Sequence, residues 1–256
     1  MGIPIDGEGV VIYDDAGVGT DTTIGTATTT MEPYVTRIQR DIRAPRTVIE
    51  ATLYDILRDF TEKTWILYKS FQVQGHGVEA SGYKSVSFDM DAVMPGLVPM
   101  FVHRLKDQAG EYRAVQRDIA MVEDLDMSVY DMPGVKFYNF FTDDDATDSY
   151  YLRVFPFSYD PLLFVNMAFR LPDRDGMPFD ATANPLSIPR VLLDYKEEIC
   201  SGVMARMMMQ PGAEWTNPQL AGFRDTIYQT GISRAKLRWF KNNSVDVAVS
   251  GRGLFA

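Results

Sequence analysis

The sequence predicts an α+β fold, in which a bundle of about three helices carries an inserted antiparallel β-sheet or small sandwich. Apolar residues recur at helical spacing after residue 46 and again after residue 187. Between them, short segments rich in aromatic and β-branched residues are separated by Gly, Pro and Asp, as strands are separated by turns. These two patterns place the sheet after the first helix and before the other two.

Composition narrows the class of protein. A chain of 256 residues can bury one substantial core, and its net charge of −10 argues against a general nucleic-acid binder. A single cysteine, Cys200, excludes an internal disulfide framework, and with only two histidines a structural zinc site is not expected. No apolar stretch reaches the roughly 20 residues that span a bilayer, and the acidic N-terminus has no secretion signal. We expect a globular protein of a reducing compartment, with no cofactor and no membrane partner.

The chain divides into four parts by its patterns. Gly and Thr dominate residues 17–30 without any period, so residues 1–45 are predicted to be an extended arm, either disordered or ordered by a partner. The other parts are a helical core at 46–64 and 187–240, a β-rich insertion at 65–186 and a C-terminal tail at 241–256.

The first helix has a clear start and a clear stripe. Thr47 and Glu50 form a capping-box pattern, and Pro45 lies just upstream. Its predicted buried stripe is Ile49, Leu53, Ile56 and Phe60. The helical pattern fades at Thr64–Trp65.

Six strands are predicted in the insertion. They are 65–73, 97–105, 114–122, 135–142, 149–157 and 162–171. The fourth and fifth flank the polar run 143–148, which indicates a hairpin.

The second helix is predicted to start at Ser187, as the cap, with Pro189 in its first turn, and to stop at Pro211–Gly212. Its predicted buried stripe is Leu192, Tyr195, Ile199, Val203 and Met207. Gly202 in mid-helix costs about 1 kcal/mol of helix propensity, which is acceptable where another backbone packs closely. Of the three consecutive methionines 207–209, one is expected to pack inward and the others could face a neighbour, but core filling is the favoured account of the set.

The third helix is predicted to start with Asn217 as its cap and Pro218 at its first position, and to run toward Phe240. Its predicted buried stripe is Leu220, Phe223, Ile227, Gly231 and Ala235.

No set of residues has the pattern of a catalytic site. Asp143, Asp144, Asp145 and Asp148 could offer oxygen ligands to calcium, but the glycine and terminal glutamate of a calcium loop are missing, which favours a solvated hairpin tip. His76 and His103 have no Ser or Cys nucleophile nearby, and Cys200 is read as an inert thiol. The arginines at 37, 40, 43 and 46 lack interleaved aromatic residues, so nucleic-acid binding is a minor alternative. We therefore predict that the chain is not an enzyme.

The order of several motifs near the C-terminus carries a family resemblance. Gly202 within helix two, the Pro211–Gly212 turn, Trp215 and the Asn217–Pro218 restart follow one another closely. In this order the segment resembles the head-to-tail adaptor proteins of tailed bacteriophages, also called connector or gatekeeper-type tail proteins. The resemblance covers about half of the chain and is most specific between Gly202 and Ala221.

The resemblance implies a virion structural protein without catalysis, made in the host cytoplasm. Such proteins form a ring, usually twelve-fold, between the portal and the tail, with DNA passing through the ring. The implied partners are copies of the chain itself, the portal, and tail or nozzle proteins. The implied helix or inter-subunit packing residues are Gly202, Met207, Trp215, Phe223 and Ile227. The implied portal contacts in the tail are Val245, Val247, Val249, Leu254 and Phe255, whose alternation also suits strand addition to a partner.

Three alternatives remain open from the sequence. The chain could be another neck or tail protein, such as a tail tube or terminator protein. It could be a soluble hydrolase working through the Asp-rich loop, or a monomeric binding module.

In the adaptor interpretation, the acidic segment 118–148 would face the DNA channel and repel phosphate. For the tail, the alternative to a portal contact is a frayed terminus.

Overall fold

The computed structural model describes nine stretches of the chain, and they confirm the α+β class. They are 11–14, 28–74, 86–90, 96–106, 110–116, 134–142, 150–155, 162–173 and 187–243. The helices are α1 Glu32–Asp41, α2 Arg46–Thr64, α3 Lys196–Met208 and α4 Pro218–Asn243, with a 3₁₀ helix at Arg190–Tyr195. The strands are β1 Val11–Asp14, β2 Thr28–Thr30, β3 Leu67–Gln74, β4 Val86–Asp89, β5 Val98–Lys106, β6 Glu111–Gln116, β7 Val135–Thr142, β8 Tyr150–Phe155, β9 Leu162–Arg170 and β10 Ser187–Pro189.

Eight strands form one sheet in the order β1-β3-β9-β5-β6-β7-β8-β4. The predicted antiparallel sheet is instead mixed, because β6 and β7 pair in parallel while the other neighbours are antiparallel. The predicted pairing of β7 with β8 is confirmed, with Phe140 opposite Leu152. The loop that joins these two strands lies outside the described residues.

The predicted N-terminal arm is wrong for residues 28–45. Tyr34, Val35 and Ile38 of α1 are completely buried in the core, and Thr28–Thr30 form a two-stranded ladder with Ser187–Pro189. Pro33 lies in the first turn of α1, where its missing N–H is not needed. A ten-residue helix contains fewer than three turns, so its apolar residues repeat too few times to predict a helix with certainty, and the Gly- and Thr-rich stretch before it indicates an extended segment.

The first predicted helix corresponds to α2, and its buried stripe is confirmed. Ile49, Leu53 and Phe60 are fully buried and Ile56 nearly so. The predicted capping box is wrong, since the helix begins at Arg46 after Pro45 and no side chain caps it. Glu50 instead accepts a hydrogen bond from Arg46 Nε at 2.7 Å. The helix ends at Trp65, whose φ of 55° lies in the left-handed region.

The second predicted helix begins later than expected. Ser187 pairs with Thr30 in the short ladder and does not cap a helix, and the chain passes through the 3₁₀ helix before α3 starts at Lys196. All five predicted buried residues of this segment are buried, as the stripe predicted. Of the three methionines, Met207 and Met208 are buried and Met209 is exposed.

The three longest helices alternate in direction. Asp194 and Glu198, near the start of α3, contact Arg238 and Arg234 near the end of α4, so these two helices are antiparallel. Later residues of α2 contact later residues of α4, since Asp59 contacts Tyr228 and Trp65, just after α2, contacts Trp239. Helices α2 and α4 therefore run in the same direction.

Candidate functional site

The start of α4 is fixed by local chemistry, as the sequence predicted. The N–H of Leu220 donates to Asn217 Oδ1 at 3.1 Å, which satisfies one of the free amides of the first turn. Pro218 occupies the first helical position, and Gly212 turns the chain with a φ of 77°. The turn therefore sets the direction in which α4 leaves α3.

The inner face of α4 packs tightly on α3. Its buried residues are Ala221, Tyr228, Ile232, Ala235 and Trp239. A Cβ added at Gly202 would lie 2.7 Å from the Tyr228 ring, and one at Gly231 would lie 2.5 Å from Glu198 Cβ. These two glycines let the helices approach closely, which explains why Gly202 is acceptable within a helix.

The predicted buried stripe of α4 is wrong at its N-terminal end. Phe223 is 62% exposed and Leu220 is 37% exposed, while Gly231 and Ala235 are buried as predicted and Ile227 is half-buried. The helix has apolar residues on two faces, and the face with Tyr228 and Trp239 meets the core. The residues of this buried face also recur at helical spacing in the sequence. Periodicity alone does not show which of two apolar faces of one helix is buried.

Large apolar side chains are exposed around this helix. Leu237 is 62% and Phe240 50% exposed, and Met209 at the end of α3 is exposed as well. Together with Leu220 and Phe223 they are the exposed large hydrophobic residues of the described stretches. An apolar surface of this kind marks a site for another macromolecule more often than a lone exposed leucine does.

Seven positions of α4 follow one another at alternating spacings of three and four, as in a coiled-coil seam. We call them the outer seam of α4: Leu220, Phe223, Ile227, Thr230, Arg234, Leu237 and Lys241. The seam contains no carboxylate. It combines apolar side chains in its first half with two cations in its second half.

Ion pairs hold the flanks of α4 to the rest of the bundle. The guanidinium groups of α4 contact carboxylates of α1, the 3₁₀ helix and α3: Arg224 with Asp41 at 2.9 Å, Arg238 with Asp194 at 2.7 Å and Arg234 with Glu198 at 2.7 Å. These pairs are partly exposed, so each adds on the order of 0–1 kcal/mol. They orient α4 more than they stabilise it.

Aromatic rings join the end of α4 to the sheet. The Trp239 ring lies 5.1 Å from the Trp65 ring and 4.8 Å from His103 on β5, and Trp65 lies 5.2 Å from Phe101. Edge-to-face contacts of this type add about 0.5–1.5 kcal/mol each beyond area burial. His103, which the sequence predicts as a strand-end or surface histidine, instead lies within β5 and is half-buried beside the Trp239 ring.

Burial keeps the Cys200 thiol and three buried tyrosines neutral near neutral pH. Burial raises the pKa of the Cys200 thiol to about 12 and that of Tyr54 to about 12. Burial also raises the pKa of Tyr34 and Tyr228. A thiol with so high a pKa is not a nucleophile near neutral pH, because the thiolate is the reactive form.

Other candidate residues are accounted for only in part. Within the described stretches, no group of three or more His, Cys, Asp and Glu residues could hold a metal ion. The Asp143–Asp145 run, Asp148 and His76 lie outside those stretches. Two of the four spaced arginines form ion pairs, Arg37 with Asp41 at 3.1 Å and Arg46 with Glu50 at 2.7 Å.

A small open cavity of about 180 Å³ lies on the sheet, where β3, β9 and β5 are adjacent. Three of its polar lining residues, Ser70, Arg104 and Asn166, form bonds to other protein groups. Asn166 Nδ2 donates to Ser70 Oγ at 3.0 Å, and Arg104 Nε contacts Glu111 Oε1 at 2.8 Å. These bonds indicate a structural role for the polar residues around the cavity.

The predicted packing residues divide between the interior and the surface. Gly202 and Met207 lie in the core between α3 and α4, whereas Phe223 and Ile227 belong to the outer seam. Trp215 is half-buried in the turn, and its Nε1 is buried with no hydrogen-bond partner among the described residues. The five predicted portal contacts, Val245, Val247, Val249, Leu254 and Phe255, and the acidic segment before residue 134 fall outside the described stretches.

Neither a comparison with models of known protein families nor a search of curated protein sequences finds a match for this chain. Across the described stretches, no helix has the length and apolar character needed to cross a membrane.

Proposed function

We propose that this chain is a structural protein of a tailed-phage virion, a head-to-tail adaptor that forms a ring between the portal and the tail. The observation that carries the proposal is the outer seam of α4, where Phe223 and Leu237 are each 62% exposed on a well-anchored helix. The residues that resemble the adaptor family lie in the same α3–α4 unit, including Gly202 and the Asn217 cap.

The exposed seam supports a role in assembly because its burial would be favourable. Removing apolar surface from water contributes about 25 cal/mol per Å². Two large exposed side chains on one rigid helix therefore offer substantial binding free energy at little cost in ordering. A chain that works by holding other proteins needs such a surface.

The proposed partners are copies of the chain, the portal, and tail or nozzle proteins. Residues 241–256 begin in the last turn of α4, next to the aromatic contacts of Trp239, and their apolar positions would contact the portal. DNA would pass through the ring without specific binding. The net charge of −10 supports this point, since a negative ring repels phosphate.

The test is the position and copy number of this chain in purified virions. Cryo-electron microscopy should place it at the head–tail junction, and quantitative mass spectrometry should count about twelve copies, the number that the family resemblance implies for a closed ring. Copies distributed along the tail would identify a tail tube protein, and absence from the particle would overturn the proposal. Metal-dependent hydrolysis lost on Asp144→Ala would support the hydrolase alternative instead.

A further inference from the structure

Two helix faces of this chain have the same residue spacing and carry charges of opposite sign. The outer seam of α4 has one counterpart on α2, which we call the outer seam of α2: Val48, Ala51, Asp55, Arg58 and Glu62. Its positions also alternate at three and four residues. Asp55 and Glu62 are exposed and the other three are half-buried, so this face of α2 points away from the core.

The charges on the two seams have the same interval. Asp55 and Glu62 are seven residues apart on α2, and Arg234 and Lys241 are seven residues apart on α4. Neither Asp55 nor Glu62 forms an ion pair or hydrogen bond with another side chain in the described part of the protein, although carboxylates elsewhere on α2, such as Glu50 and Asp59, do. Within its own copy Arg234 contacts Glu198, the Asp194 carbonyl and the Tyr195 ring, yet it keeps 56% of its side chain exposed.

We propose that the outer seam of α4 in one copy packs in parallel against the outer seam of α2 in the next copy. In this register Arg234 meets Asp55 and Lys241 meets Glu62. The same register places Ile227 beside Val48, Leu237 beside Arg58, and Phe223 beside Ala44 just before α2 begins. The inference rests on the proposed function in one respect, that copies assemble in a ring.

The direction of the helices permits this contact around a closed ring. Because α2 and α4 run in the same direction within a copy, a rotation about an axis along them places α4 of one copy parallel to α2 of its neighbour. Each copy then offers two different surfaces, and every seam is used once. Such a contact is heterologous, as a ring requires.

Pairing of two α4 seams with each other is less favourable. It would close as a two-fold dimer and leave the seam of α2 uncovered. It would also bring two seams with cations and no carboxylate together. The acidic seam of α2 is the complementary surface, and an identical chain supplies it at the same concentration as α4.

A charge-reversal cycle on the full-length chain tests the register. The variants are Glu62→Lys, Lys241→Glu and the two together, with association measured by sedimentation velocity and native mass spectrometry. Each single reversal should weaken association by about threefold or more, because like charges then face each other across the contact. The double variant should return to within about twofold of the wild type.

Glu214→Lys is the matched control, since Glu214 is exposed in the turn between α3 and α4 and belongs to neither seam. It should leave association unchanged. Rings that form in the wild type but show no recovery in the double variant would overturn the α2–α4 register and leave the proposed function standing. A control variant as weak as Glu62→Lys would also overturn it.

Disulfide trapping gives an independent readout of the same contact. A chain carrying both Glu62→Cys and Lys241→Cys should form a ladder of dimers, trimers and larger species on a non-reducing gel. Cys200 does not compete because it is buried. A pair shifted along α4, Glu62→Cys with Thr230→Cys, moves one thiol by about 16 Å and should give no ladder.

Other results would contradict the inference. Dimers from Lys241→Cys alone would indicate that two α4 seams pair with each other. A ladder from the shifted pair would indicate a different register, and monomers at every concentration would show that the two seams do not meet. Portal binding and virion localisation are measured separately, so these outcomes do not decide the proposed function.

Discussion

Individual buried contacts set how closely α2, α3 and α4 approach one another. The Tyr228 ring lies against Gly202, and its hydroxyl donates to Asp59 Oδ2 at 2.8 Å. One tyrosine thus links α4 to both other helices. Sequence reasoning found Gly202 but not Tyr228, because a tyrosine at helical spacing does not reveal which neighbour its hydroxyl reaches.

Gly202→Ala should destabilise the fold by about 1–3 kcal/mol, since the new Cβ would lie 2.7 Å from the Tyr228 ring. The ring is held by the hydrogen bond from its hydroxyl to Asp59 and cannot shift without weakening that bond. The measurement is the urea midpoint. Gly222→Ala is the control, because nothing lies within 4 Å of its added Cβ, and it should stabilise α4 by about 0.5–1 kcal/mol. Equal effects of the two changes would contradict the close contact.

Stability should fall at alkaline pH through Cys200. Burial raises the pKa of this thiol from an ordinary 9.0 to about 12. Above about pH 9 the unfolded chain loses this proton while the folded chain keeps it, so the unfolded state is favoured as pH rises from about 9 to about 12. Urea midpoints for the wild type and Cys200→Ala, compared between about pH 8 and about pH 11, should converge as pH rises. A constant difference would refute this assignment.

At the scale of elements, the sequence predicted those helices and strands that carry strong local signals. Strand β7 was predicted at its observed bounds, and the Asn217–Pro218 start of α4 matches its cap bond. The parallel pairing of β6 with β7 was missed because it depends on a long connection, which local patterns do not describe. For the candidate site, Phe223 was predicted both as a packing residue and as part of the buried stripe, and its 62% exposure contradicts the buried stripe. Only the tertiary packing of Tyr228 and Trp239 decides which face is inside.

The caps of α2 and α4 can be compared directly. Asn217→Ala should cost about 1 kcal/mol, because the N–H of Leu220 loses its acceptor. Thr47→Ala should cost clearly less, since no side chain caps α2. Thermal unfolding of both variants measures the difference, and a larger loss at Thr47 would restore the predicted capping box.

At the scale of the whole molecule, changes in the outer seam of α4 should affect assembly without affecting folding. Phe223→Ser removes an exposed ring, so the stability of the isolated chain should change by no more than about 0.5 kcal/mol. Assembly into rings should be lost, because the most exposed side chain in the apolar half of the seam is removed. Electron microscopy of the purified variant and the yield of complete particles measure this effect.

Gln229→Ser is the matched change for assembly, because Gln229 is exposed on α4 but outside the outer seam. It should leave ring formation intact. Loss of rings in this variant, or intact rings in Phe223→Ser, would show that the seam is not the contact.

The aromatic contacts of Trp239 also decide how the chain would bear a load. Residues after Asn243 continue directly from α4, whose last turns are held to Trp65 and to the sheet at His103. Tension applied at this end would therefore pass sideways through edge-to-face rings into β5, and the hydrogen bonds of the helix would not be pulled apart one by one. An α4 end held in this way would resist unwinding better than an unanchored helix end would.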